Sequence, residues 1–181
     1  MNATVFLVST LFNLYLMVVM LRLWLQLARA DFYNPFSQFV VKATQPVVGP
    51  MRRAIPAIGR LDTATLLFAY AVVVLKFVTL NALFSNAEFS IIAILVVSFP
   101  SLLDQFLDLM FFVLIVRAIM SFVSQGGNPI EMLFQQLTEP FLAPIRRVIP
   151  PMGGFDLSVL VAIIAIQFLG ILLTDVFGKL P

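Results

Sequence analysis

The chain contains no cysteine and no histidine. The first absence excludes disulfides, thiolate nucleophiles and thiolate-bound metals. The second removes the commonest general base and metal ligand. Charge is scarce too: 11% of the 181 residues are Asp, Glu, Lys or Arg, against roughly a quarter in a soluble domain. No GxSxG, P-loop or HExxH occurs, so no common hydrolytic or nucleotide site is spelled out. The spans described below also lack GxxxG, the motif of close helix dimers.

What is present is apolar. Hydrophobic residues make up 61% of the chain and the mean hydropathy is +1.06. One soluble core cannot hide that much apolar surface, so lipid must cover the remainder. The sequence therefore reads as an all-α integral membrane protein. Its start, MNATVFLVST, has no basic n-region, and the apolar run continues to about residue 28 without a small-residue cleavage site. That pattern predicts a retained span rather than a signal peptide.

A spanning helix needs roughly 20 mainly apolar residues. Four stretches qualify: about 4–28, 63–84, 100–123 and 157–177. A fifth run, SIIAILVVSF at 90–99, is too short to span alone and stops at Pro100, which disfavours helix in the residue before it. It is expected to be shallow or re-entrant on the outer side. Basic residues collect in cytoplasmic loops. Arg22, Arg29, Lys42, Arg52, Arg53, Arg60, Arg117, Arg146 and Arg147 lie in or beside the 29–62 and 124–156 connections. Both connections are thus expected in the cytoplasm and both termini outside, which in a bacterium means an inner-membrane protein with periplasmic ends.

Shifted by 94 residues, NPFSQFVVKATQPVVGPMRRAIPAIGRLD (34–62) falls on NPIEMLFQQLTEPFLAPIRRVIPPMGGFD (128–156). Identities include Asn34/Asn128, Pro35/Pro129, Thr44/Thr138, Pro46/Pro140, Pro50/Pro144, Arg52/Arg146, Arg53/Arg147, Pro56/Pro150, Gly59/Gly153 and Asp62/Asp156. At a shift of 95, Arg22 meets Arg117 in the preceding helices. This is a tandem duplication: 1–84 is one repeat, 85–99 an outer connection, and 100–181 the second repeat. Each unit has two spans, so the two share an orientation and are related about the membrane normal.

Each connection opens on Asn-Pro, a capping residue followed by a proline whose missing N–H would be orphaned anyway. Phe36, Phe39, Val40 and Ala43, and in the second copy Ile130, Leu133, Phe134 and Leu137, form i, i+3, i+4, i+7 stripes. These predict short amphipathic elbows in the headgroup plane. Pro46, Pro50 and Pro56, like Pro140, Pro144 and Pro150, are expected to stop the helix and bracket a turn bearing the arginines. Arg52, Arg53, Arg146 and Arg147 then read either as anchors on anionic lipid or as a docking surface for a membrane or cytoplasmic protein. Four arginines without interleaved aromatics make a thin nucleic-acid footprint, and no nucleic acid is expected. Asp62 and Asp156 suit N-caps of the spans that follow.

The repeated N-P-(x)8-T-x-P-(x)3-P-x-R-R-x-I-P block, followed by Gly and Asp, resembles the YggT family, and the likeness covers nearly the whole chain. The resemblance implies no catalytic activity and no cofactor. It implies instead tolerance of hyperosmotic stress and potassium homeostasis, or a scaffolding or assembly role such as relatives in Gram-positive bacteria and plastids suggest.

Ionisable groups inside spans are functional candidates by default. Lys76 and Asp108 lie at similar depth and are expected to pair, with Asp104 one turn away. Asn13 matches Asp108 under the 95 shift, and Gln167 sits mid-way along the last span. Together they form either an interhelical clasp or an ion path. A second copy of the chain remains open as a partner.

Overall fold

The structure is a computed structural model that describes residues 2–84, 90–123, 128–149 and 156–178. Six helices follow in order: α1 (Ala3–Leu27), α2 (Pro35–Ala54), α3 (Thr63–Phe84), α4 (Ile91–Val123), α5 (Pro129–Val148) and α6 (Leu157–Phe177). There is no β-strand among the described residues. Helices α1, α3 and α6 are each long and apolar enough to cross a membrane. Most of their apolar surface faces outward rather than into the protein. Water would penalise that surface heavily, and a hydrocarbon solvent would not.

The 90–99 segment departs from expectation. It is no separate shallow piece: residues 91–99 form the first turns of α4, which passes through Pro100 as one helix of 33 residues, about 50 Å long at 1.5 Å per residue. A proline removes one backbone bond but need not end a helix whose neighbours supply others. The carbonyl that Pro100 leaves without a helical partner is that of Val96, an exposed residue; just before it, Tyr70 of α3 donates to Leu95 O (2.8 Å) and Ser98 Oγ donates to Ile94 O (2.7 Å). Residues 85–89 of the outer connection lie outside the described residues.

The elbows correct a second expectation. Pro46 and Pro50 do not stop α2, nor do Pro140 and Pro144 stop α5; each helix runs 20 residues and ends just before the third proline's position. The reason is the four-residue proline spacing. Pro46 and Pro50 leave the carbonyls of Lys42 and Pro46 without helical partners, and Lys42, Pro46 and Pro50 all lie on the exposed stripe. Gln136, Pro140 and Pro144 repeat that arrangement. Carbonyls freed on one wet stripe are satisfied by solvent, so the helix survives. Pro150 and Gly153 lie outside the described residues.

The inward stripe also differs. In α2 the buried residues are Ser37, Val40, Thr44 and Val48, whereas Phe39 is exposed. In α5 they are Leu133, Phe134, Leu137, Thr138 and Leu142, whereas Ile130 is exposed. The buried face therefore carries a threonine in each copy, which a search for apolar residues alone passes over. Helix α2 packs on α1 and α3, and α5 packs on α4 and α6.

The halves meet at Trp24. Its ring stacks edge-on to Phe106 and Phe141, at 5.7 and 6.0 Å between centroids, and its Nε1 donates to Leu137 O at 3.1 Å. Asn34 Nδ2 donates to Pro129 O (2.8 Å), and the Asp31 N–H donates to Gln136 Oε1 (2.8 Å). Phe36 lies against Phe134, so the two elbow helices touch at their N-terminal ends.

Candidate functional site: two arginine-braced elbows

Both elbow helices begin as their sequences dictate. Asn34 Oδ1 accepts from the Phe36 N–H, and Asn128 Oδ1 accepts from the Ile130 N–H, each at 2.9 Å, with Pro35 and Pro129 next in line. At the far end of the second elbow Asp156 caps α6, its Oδ1 accepting from the Ser158 N–H at 3.0 Å. Asp62 stands in the same place before α3 and accepts from the Thr65 hydroxyl. A turn over Ile58–Leu61, closed by reciprocal 3.0 Å backbone bonds, brings Asp62 back under α2. Gly59 takes a positive φ of 61° in that turn, a region costly for a side chain.

Each acid meets the first arginine of its pair. Arg52 Nε donates to Asp62 Oδ2 at 2.9 Å, Nη2 pairs with the same oxygen, and Nη2 also reaches Gln26 Oε1 at 2.7 Å. In the second copy Arg146 Nε and Nη2 both donate to Asp156 Oδ2, at 3.0 and 2.7 Å. Burial would raise the Asp62 carboxyl, but hydrogen bonds from Arg52 and Thr65 outweigh it and hold the group below its ordinary value. Asp156 behaves alike under Arg146 and Ser158. Its hydrogen bond to Asp156 in turn raises Arg146, against the smaller effect of burial.

A second arginine approaches each elbow from the preceding helix. Arg22 of α1, only 2% exposed, donates through Nη1 to Thr44 Oγ1 and through Nη2 to Gln45 Oε1, both at 2.8 Å. Arg117 of α4 donates to the Thr138 hydroxyl and pairs with Glu139 Oε2 at 3.6 Å. Glu139 also accepts a fork from Arg146 Nη1 at 2.8 and 3.0 Å. Each threonine hands its own proton back one turn, to Val40 O or Phe134 O at 2.7 Å. Every constant of this brace was visible as a repeated identity: Arg22/Arg117, Thr44/Thr138, Arg52/Arg146 and Asp62/Asp156. Their mutual contacts were not, because they join elements that sequence spacing alone does not place together.

The tandem arginines thus divide. Arg52 and Arg146 are engaged internally. Arg53 and Arg147 are exposed and make no hydrogen bond or ion pair among the described residues.

The intramembrane candidates divide as well. Lys76 is buried, with its ammonium 5.3 Å from the centre of the Phe77 ring. On the neighbouring helix α4 Asp104 is half-buried, whereas Asp108 is exposed. No ion pair joins Lys76 to Asp108 among the described residues. Asn13 Oδ1 is buried without a hydrogen-bond partner in the protein, and Gln167 lies on the outer face of α6. The expected Lys76–Asp108 pair is therefore not formed, and no ion pair joins Lys76 to Asp104 among the described residues either.

A model of the CCB3/YggT family matches residues 1–83 and residues 96–177. The chain belongs to the CCB3/YggT family. It is 59% identical over 181 residues to an uncharacterized protein of the proC 3' region of Vibrio alginolyticus, with 99% of this chain and 98% of that one covered. It is 48% identical over 176 residues to the uncharacterized protein YggT of Escherichia coli K12, covering 97% and 92% of the two chains. Uncharacterized protein PA0392 of Pseudomonas aeruginosa is 40% identical over 176 residues, covering 96% and 89%. No solved structure matches.

Proposed function

We propose that this YggT-family chain is a non-catalytic, four-span protein of the bacterial inner membrane that supports ion (potassium) homeostasis and tolerance of hyperosmotic stress. In this reading α4 is the fourth span, the braced elbows are cytoplasmic, and both termini are periplasmic. The two repeats then share one orientation in the membrane. The observation that carries the functional part is Lys76, a charged group buried in an apolar span, with the acidic Asp104 on the neighbouring helix α4. A charge at that depth is expensive, and anchoring in lipid does not require it.

The test is growth and cellular potassium after hyperosmotic shock in a strain lacking the chain. It is complemented with wild type, Lys76→Met, Asp104→Asn or both. Wild type should restore tolerance, and each single variant should fail at normal abundance. A deletion strain that tolerates shock and holds potassium like its parent would overturn the reading.

A scaffold reading keeps one specific support. Arg53 and Arg147 have no partner among the described residues, and the elbows also expose Ile58 and Val148, a combination of charge and apolar surface that suits a protein partner as well as anionic headgroups.

A further inference from the structure

The C-terminal end of α4, the N-terminal end of α6 and the flank of α5 enclose a cavity of about 630 Å³, within the size range of small-molecule sites. Its walls are of two kinds. Arg117, Glu131 and Asp156 supply charge of both signs, and Met120, Leu160 and Ile163 supply apolar surface.

The first repeat shows that the fold does not need this hollow. Ser37, Ala69 and Arg22 stand where the second repeat has Glu131, Ile163 and Arg117, and all three are buried. The repeat that is open is also the one that gained a carboxylate, Glu131 for Ser37.

A guanidinium carries five N–H donors, and among the described residues Arg117 donates to Thr138 and pairs with Glu139. Donors therefore remain for a phosphate. Glu131, which accepts from Gln135 Nε2 at 3.4 Å, also sets negative charge in this wall, and a cation beside the phosphate would complement it. The apolar wall continues onto the outer face of α6 through the exposed Leu160 and Ile164, so an occupant with a tail can leave along the helix.

We propose that this cavity holds the headgroup of an aminophospholipid. The phosphodiester sits on Arg117, the primary ammonium faces Glu131, and the glycerol-proximal methylenes lie against Met120, Leu160 and Ile163. A purely anionic headgroup would set negative charge against Glu131 and Asp156. A quaternary ammonium would match the charge but donate no hydrogen bond. The inference rests on the membrane-embedded reading above and not on the role in ion homeostasis, so loss of lipid selectivity and loss of osmotic tolerance are separable outcomes.

Native mass spectrometry of the full chain in mild detergent tests it, with phosphatidylethanolamine, phosphatidylcholine and phosphatidylglycerol of identical acyl chains as probes. One phosphatidylethanolamine should be retained per chain, about tenfold more tightly than phosphatidylcholine, the worth of one charge-assisted hydrogen bond. Glu131→Gln should erase the preference over phosphatidylglycerol. Ala118→Leu, which fills the cavity, should abolish selective retention while the emission of the single tryptophan, Trp24, stays unchanged. Should that variant fail to fold, wild-type selectivity and Glu131→Gln still decide. Equal retention of the three lipids, preference for phosphatidylglycerol, or selective retention by folded Ala118→Leu would each overturn the proposal.

Discussion

In the first elbow Arg22 meets the neutral amide of Gln45; at the matching place in the second, Arg117 meets the carboxylate of Glu139. The brace around Arg22 and Arg52 thus contains one carboxylate, Asp62, for two guanidiniums. The brace around Arg117 and Arg146 contains two, Glu139 and Asp156. Geometry is shared, with a threonine under the helix arginine and an aspartate forked by the elbow arginine, while charge balance is not. The first elbow substitutes close burial for neutralisation: Arg22 is 2% exposed, its Nε has no hydrogen-bond partner among the described residues, and Arg52 turns to the Gln26 amide for its further bond. A buried cation held by neutral oxygens keeps part of its desolvation penalty, so the first brace is under more electrostatic load than the second.

The largest effect should come from removing the first brace's lone acid. Asp62→Ala strands Arg52 and the Thr65 hydroxyl and should cost about 2 kcal/mol, a value reduced by the partial exposure of Arg52. Thermal unfolding in detergent would show it, and an unchanged transition would refute the brace. Exchanging the distinguishing residues should invert the comparison. Glu139→Gln leaves Arg117 and Arg146 close together with only Asp156, and should cost about 1–2 kcal/mol. Gln45→Glu gives Arg22 a carboxylate and should gain about 1 kcal/mol. Trp24 lies against Phe141 of α5, so its emission reports directly on loosening of the second elbow.

Acid should weaken both braces. Asp62 and Asp156 are held below their ordinary carboxylate values, so their contribution is fully present above the unfolded value of about 4 and is lost as pH falls below it. The transition temperature should be level near neutrality and drop below about pH 4, and Asp156→Asn should flatten that drop. Least affected should be Arg53→Lys and Arg147→Lys, whose side chains have no partner among the described residues, with shifts within about 0.5 kcal/mol.

Much of this was legible in the sequence. The membrane character, the Asn-Pro caps of α2 and α5, the Asp156 cap of α6 and the duplication all follow from local chemistry acting within a few residues. Two things were not. Prolines 46, 50, 100, 140 and 144 were expected to end helices, because a proline judged alone loses a bond; whether its orphaned carbonyl lies on an exposed or a buried face depends on the neighbouring helices. The division of Arg52 from Arg53, and of Arg146 from Arg147, depends on which residue of the pair faces the returning aspartate, and adjacent residues on a helix point about 100° apart. Lys76 likewise forms no ion pair with Asp108 among the described residues, because depth along a helix says nothing about azimuth.

The central claim is that the first arginine of each pair, and not the second, ties the elbow to the next helix. A pair of double-mutant cycles tests it most directly: Arg146→Ala with Asp156→Asn, and Arg147→Ala with Asp156→Asn, read as unfolding free energies in detergent. The account expects a coupling of about 1 kcal/mol in the first cycle, as for a partly exposed, forked pair, and none in the second. Equal couplings, or none in either, would contradict it.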